Sequence, residues 1–214
     1  MSGPSTRLLR EFQRISTSSL SDALDKLGIS GVMNGVYPVC DGAKLAGAAF
    51  TVKGIVGNYA FEDFAIGQVI DSAKRGEAIV IDLGGHRVSS WGGLASASAR
   101  LKGIAGVVVD GAVRDVDEIR AMKYPVFARH VAPISGKRRV KIVSVGEAVS
   151  CGGITVQPLD LVVGDGTGVA VVPRERAQEL LEIARSIEEK EGKIRREIKR
   201  GASFSEVARK YSHI

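Results

Sequence analysis

The chain has 214 residues, 44% of them hydrophobic and 25% charged, with aromatics at only 5%. That balance excludes a disordered chain and leaves a core to be built from Val, Ile, Leu and Ala. The formal charge of +6 raises nucleic acid as a partner, but no aromatic platform or nucleic-acid-binding signature accompanies it, which argues against one.

Residues 17–28 (TSSLSDALDKLG) predict a helix capped by Thr17 or Ser18, with Leu20, Ala23, Leu24 and Leu27 on one face and Gly28 ending it. Residues 45–56 read as extended, bent at Gly47 and Gly54. A helix is expected over 61–73 and a buried strand over 78–83 (AIVIDL). GGLASASARL (92–101) predicts a small-residue helix opening at a glycine pair, followed by a strand over 104–110, a tight GAV turn and a helix over 114–122. This strand–helix alternation predicts a partly parallel sheet covered by helices. Short glycine-punctuated strands at 140–145, 154–156, 161–163 and 169–172 predict an antiparallel or mixed layer. Pro173 then opens a long helix over 174–200 with an apolar stripe, on which Glu191 is the odd residue. No repeat or linker divides the chain, so a single domain over 1–214 is expected.

The basic excess lies in two clusters. One holds Lys137, Arg138, Arg139 and Lys141; the other, from Lys193 to Arg200, is interleaved with Glu on a helical pattern. Both read as solvated charged faces, with the option of drawing in anionic substrates. No apolar run is long enough to cross a bilayer, and the polar start MSGPSTRLLREFQ lacks the features of a signal peptide. Cys40 and Cys151 are too far apart for a metal-binding pair, and read as free thiols of a reducing compartment. A soluble, cytoplasmic protein without a membrane partner is expected.

Three places carry candidate chemistry. Arg114 and Asp115 follow a buried strand, where open α/β sheets bind ligands. Arg offers a fork for a carboxylate and Asp a hard ligand for a divalent cation; the simpler reading is an N-cap Asp paired with its own Arg. Gly92, Gly93, Leu94 and Ala95 open a helix whose free N–H groups suit an anion. The loop GDGTG (164–168) reads as a hairpin turn. His86, His130 and His213 show no metal-ligand spacing, and no Walker, Rossmann or nucleophile-elbow motif is present.

The runs SLSDALDKLG, GAAFTV, WGGLASASARLKGIAGVVVDGAVRDVDEI and GDGTGVAVVP, in that order over 15–210, resemble the RraA-like proteins. That family includes 4-hydroxy-4-methyl-2-oxoglutarate aldolases and the regulator of RNase E activity. The resemblance implies an α/β/β sandwich with mixed sheets and a long C-terminal helix at the interface of a homotrimer, which can pair into hexamers. It implies a lyase that uses Mg²⁺ or Mn²⁺ to cleave or decarboxylate a short 2-oxo acid to pyruvate. Arg114 would then bind the 2-oxo acid, Asp115 would anchor the metal, and Glu118 matches an acidic residue of the motif. The backbone of Gly92, Gly93, Leu94 and Ala95 would receive the carboxylate, and Glu191 of a neighbouring subunit would complete the metal's water shell. The chain departs from the aldolases at Gly93, where they carry an acid twenty-one positions before the Arg. The alternatives are a non-catalytic protein-binding regulator and an enzyme of related enolate chemistry on a sugar acid; Arg114 and Asp115 together favour the lyase.

Overall fold

In the computed structural model, which describes residues 3–211, the first half of the chain forms α1 (Thr6–Phe12), α2 (Thr17–Lys26), β1 (Tyr37–Pro38), β2 (Leu45–Val56), a 3₁₀ turn (Phe61–Asp63), α3 (Ile66–Ser72), β3 (Glu77–Asp82), β4 (Ser89–Trp91) and α4 (Gly93–Lys102). The second half forms β5 (Gly106–Val113), α5 (Val116–Met122), β6 (Val126–Val131), β7 (Val140–Val145), β8 (Val149–Cys151), β9 (Ile154–Val156), β10 (Leu161–Asp165), β11 (Gly168–Val172), a second 3₁₀ turn (Arg174–Arg176), α6 (Ala177–Lys199) and α7 (Phe204–Lys210).

β3 and β5 lie at the centre because their β-branched residues can be buried on both faces. Ile79 and Ile81 of β3, with Val107 and Val109 of β5, face a core shared with α3, α4 and α5. Ala78, Val80 and Val108 point the other way, into a core closed by the β8–β9 hairpin. This two-residue alternation into two cores explains why both strands read as unbroken apolar runs. The sheet order is β1-β6-β5-β3-β2-β10-β11, with β4 beside β5 and β7 beside β2. β2, β3, β5 and β6 run parallel in sequence of pairing, while β10, β11 and β7 join antiparallel. β1 and β11 touch, so the mixed sheet is nearly closed. A third core packs α1, α2 and α6 on β10 and β11 through Phe12, Leu20, Leu24, Leu180 and Leu181. Among the described residues, no helix is long and apolar enough to cross a membrane.

Several expectations shift by local physics. α2 begins at Thr17, but Ser16 is its cap, accepting from the Ser19 N–H at 3.0 Å; Thr17 is drawn instead to Asp165. The expected helix over 61–73 is broken, because Phe64 and Ala65 leave helical geometry between the 3₁₀ turn and α3. The expected GAV turn is absent. Ala112 and Val113 stay in β5, which bulges between Val109 and Ala112 on the β6 side and takes β4 as its second partner. The 164–168 loop is the β10–β11 hairpin turn, as read.

That turn has a structural task. Asp165 is 8% exposed and accepts from the Thr17 N–H, the Thr17 hydroxyl and the Thr167 N–H at 3.0, 2.7 and 2.9 Å. Burial works against its charge, but these hydrogen bonds and Lys44 outweigh it and hold the carboxyl below its usual range. A depressed folded value stabilises the fold above the unfolded pKa of about 4, and that contribution is lost as the pH falls through the folded value. Asp165→Asn is therefore expected to cost about 2 kcal/mol at pH 7, with the gap from wild type closing below about pH 4. Urea denaturation at both pH values checks this; a gap that persists in acid would show that the charge is not what matters.

Candidate active site

β4 and β5 end side by side, and each hands its chain to a helix. β4 runs through Gly92, extended in backbone, into α4, and β5 runs through Arg114 and Asp115 into α5. The Arg114 N–H bonds the Trp91 carbonyl at 3.0 Å, locking the two strand ends together. Asp115 is left-handed, with φ 56°, a conformation that costs most residues about 1–2 kcal/mol and that Asp tolerates better. That backbone turns its carboxylate away from its own helix. Asp115 makes no cap bond to α5; its Oδ2 accepts from the Gly93 N–H of α4 at 3.1 Å and lies 3.4 Å from Arg114 Nε. The simpler reading of an Asp capping its own helix fails at this point, although the pairing with its own Arg is present.

Gly92, Leu94, Ala95, Arg114 and Asp115 line one cleft of about 140 Å³, walled by Phe64 and Ile66 and floored by Ser90 and Trp91. This is below the roughly 300–1,000 Å³ of pockets for larger ligands and cofactors, and suits a small acid. Trp91 is held by its indole N–H, which donates to Ser96 Oγ at 2.8 Å, while Ser96 Oγ donates to the Gly92 carbonyl at 2.9 Å. The floor is therefore rigid. Of the first α4 amides, Gly93 is taken by Asp115, and those of Leu94 and Ala95 have no side-chain acceptor among the described residues. Gly92 must be small: a Cβ there would stand 2.6 Å from Asp115 Oδ2 and 3.2 Å from Arg114 Cγ.

Gly93 behaves differently. Its missing side chain would point at Glu118, with Oε2 1.9 Å from where a Cβ would be. The Glu118 side chain thus lies in the space that a side chain at 93 would enter. Sequence reading saw the loss at 93 and the acid at 118 without seeing that they share one space.

The remaining candidates lie elsewhere. Glu191 is on α6, paired with Arg195 at 2.9 Å, and α6 packs on α2 and α1 rather than on the elements of the cleft. Within one chain it does not join Arg114 and Asp115. His86 is exposed outside the cleft, and His130 bonds the Gly85 carbonyl; His213 lies outside the described residues. Cys40 and Cys151 are free and buried, and burial pushes both thiols up. Among the described residues no group of three or more His, Cys, Asp and Glu side chains converges. Sequence reading missed Phe64, Ser90 and Ser135 as lining residues and placed Lys137 in a charged face able to draw in anionic substrates, without assigning it to this cleft. The stretch SSW has no period or motif to mark it, and its role comes from the strand it joins.

A family model described as RraA-like, Aldolase/RraA, matches residues 17–171. An uncharacterized protein of Methanocaldococcus jannaschii is 38% identical over 205 residues, 94% of this chain and 93% of its own length. A protein of Halalkalibacterium halodurans named as a candidate 4-hydroxy-4-methyl-2-oxoglutarate aldolase is 32% identical over 86% of this chain and 85% of its own. In structure, a Streptomyces coelicolor protein described as an unusual member of the RNase ES inhibitor RraA family superposes with a TM-score of 0.82 at 27% identity, over 91% of this chain and 99% of that one. With the motif order, the nearly closed mixed sheet and the long C-terminal helix all in agreement, the chain belongs to the RraA-like family.

Proposed function

We propose that this chain is a divalent-metal-dependent lyase that cleaves or decarboxylates a short 2-oxo acid to pyruvate. The observation that carries the reading is the meeting of the Arg114 side chain, the Asp115 carboxylate and the open first turn of α4 in one small cleft. The donor set fits a hard cation of the Mg²⁺ or Mn²⁺ kind. Asp115 Oδ1 has no hydrogen-bond partner among the described residues, Glu118 lies next to Gly93, whose N–H Asp115 holds, and Mg²⁺ characteristically takes one or two carboxylates and fills its shell with water and ligand oxygens. Such an ion would supply Lewis-acid polarisation of the 2-oxo group.

The residues of the chain supply the rest. The Leu94 and Ala95 amides, at the positive end of the α4 dipole, receive the carboxylate next to the ketone. Arg114 directs its fork at the oxygen that becomes negative as the C–C bond breaks and pyruvate enolate forms. Loss of CO₂ from oxaloacetate leaves the same enolate, so one cleft serves both reactions. Phe64, Ile66 and Trp91 keep one side of the cleft apolar, which strengthens these charge interactions. Glu191 enters this reading as a residue of a neighbouring copy in a trimer. Leu94, which lines the cleft, and Leu101, about two turns further along α4, are 85% and 89% exposed and are the apolar surface that such a copy would cover.

Pyruvate release from a panel of 2-oxo acids, with and without Mg²⁺, tests the reading. Metal-dependent release from at least one is expected; no release from any of them would sink it. Light scattering that gave a stable monomer near 22.6 kDa would remove Glu191 from the site.

A further inference from the structure

The cleft is tied to the core through one peptide group. The unit joining Gly92 to Gly93, where β4 passes into α4, lies between two residues without side chains, so its own backbone leaves it free to turn. Both of its polar atoms are nevertheless held. The carbonyl accepts from the Ser96 N–H at 3.0 Å and from Ser96 Oγ at 2.9 Å. The N–H, which points the opposite way in a trans peptide, donates to Asp115 Oδ2 at 3.1 Å.

Ser96 is fully buried in α4 and is itself held from behind. A helical serine that donates to the carbonyl four residues back commonly does no more than satisfy itself. Here the same oxygen also accepts the indole N–H of Trp91 at 2.8 Å, and Trp91 is anchored in the core that α4 and α5 share. Every hydrogen in the series therefore points one way. It runs from the Trp91 indole to the Ser96 hydroxyl, from there to the Gly92 carbonyl, and across the peptide from the Gly93 N–H to the Asp115 carboxylate. Hydrogen bonds aligned head to tail polarise one another. Without the hydroxyl the Gly92–Gly93 peptide loses one of its two anchors, its grip on Oδ2 loosens, and Arg114, at 3.4 Å, is left against that carboxylate.

We infer that Ser96 is a positioning residue of the cleft: through the Gly92–Gly93 peptide it fixes the orientation of the Asp115 carboxylate, and with it the affinity of the site for a divalent cation. The inference rests on the proposed role of Asp115 as a metal ligand. Ser96 does not line the cleft and acts only through the peptide it holds. Trp91 is the fixed end of the same series, so a change at Asp115 is felt at the indole N–H.

Calorimetry with Mn²⁺ on the intact chain tests this, with melting temperature as the second readout. Ser96→Ala is expected to weaken Mn²⁺ binding by about tenfold, the low end of what losing a group behind a metal ligand costs. It should also melt lower, because the buried indole N–H is left without an acceptor. Made in a Trp91→Phe background, where no indole is stranded, the same substitution should cost little further stability and still weaken Mn²⁺. A role confined to folding predicts the opposite, an affinity that follows the melting temperature or does not move at all, and either result would overturn the inference. Trp91 is the chain's only tryptophan. Mg²⁺, which does not itself quench, should shift its emission in wild type and not in Ser96→Ala; equal shifts in both, or no metal binding by wild type, would also overturn it. The two readings fail separately. Metal-dependent pyruvate release with an affinity indifferent to Ser96 would leave the lyase and remove the relay; a Ser96-dependent affinity without turnover would do the reverse.

Discussion

Arg114→Ala and Asp115→Ala should each reduce metal-dependent pyruvate release by about a hundredfold or more, with melting temperatures close to wild type. Both side chains are more than a third exposed and look into the cleft rather than the core, so neither carries much folding energy. The functional loss expected of the proposed lyase is large because Arg114 would there meet charge that exists only as the bond breaks, and removing one such donor costs about 3–4 kcal/mol. Asp115 lies against Arg114 and accepts from the Gly93 N–H, and in the proposed lyase its other oxygen would be the one presented to a cation. Arg114→Lys should recover little, since a point charge cannot reproduce the two-pronged contact. Near-normal oxaloacetate decarboxylation in either alanine variant would move the active site elsewhere.

Asp110→Ala should destabilise the fold by about 3–5 kcal/mol, the largest stability loss expected here. Asp110 is 5% exposed near the end of β5, where it accepts from Arg129 Nε and from the Gly152 N–H at 2.8 Å. One strand over, Asp82 is 2% exposed and accepts from Lys53 Nζ, the Gly84 N–H and the Ser150 N–H at 2.7, 2.8 and 3.1 Å. Together the two carboxylates bolt the β8–β9 hairpin across the ends of the parallel strands. Truncating Asp110 leaves a partly buried guanidinium and a buried amide without their acceptor, which costs more than the lost contact. Asp110→Asn should cost less, because an amide oxygen still accepts from Gly152. Chemical denaturation reads both variants; a loss under about 1 kcal/mol for Asp110→Ala would place the pair among weak surface ion pairs.

These two positions differ in how far the sequence announces them. Arg114 and Asp115 are legible because a dipeptide of opposite charges after a buried strand sits where α/β sheets bind ligands. Asp82 and Asp110 stand near the ends of neighbouring buried strands, where nothing in the sequence pattern singles them out. Only the structure shows their oxygens consumed by Lys53, Arg129 and the hairpin backbone. A carboxylate's availability depends on what folds over it, and that partner comes from residues 150–152, some forty to seventy positions away.

The sequence by itself determined the elements whose signal is local and periodic. The alternation of β-branched residues made β3 and β5, the three-and-four spacing on α6 made its buried stripe, and the glycine pair before 94 opened α4. It also carried the family, because the order of its motifs survives any packing. Tertiary structure decided what long-range partners decide. Residues 111–113 are strand rather than turn because β4 offers a ladder there. Residues 61–73 break at Phe64 and Ala65, which leave helical geometry, and Phe64 lines the cleft. Gly93 faces Glu118 of the next helix, so a side chain at 93 would have to displace that carboxylate. In each case the deciding free energy lies in a contact between segments far apart in sequence, which no local pattern encodes.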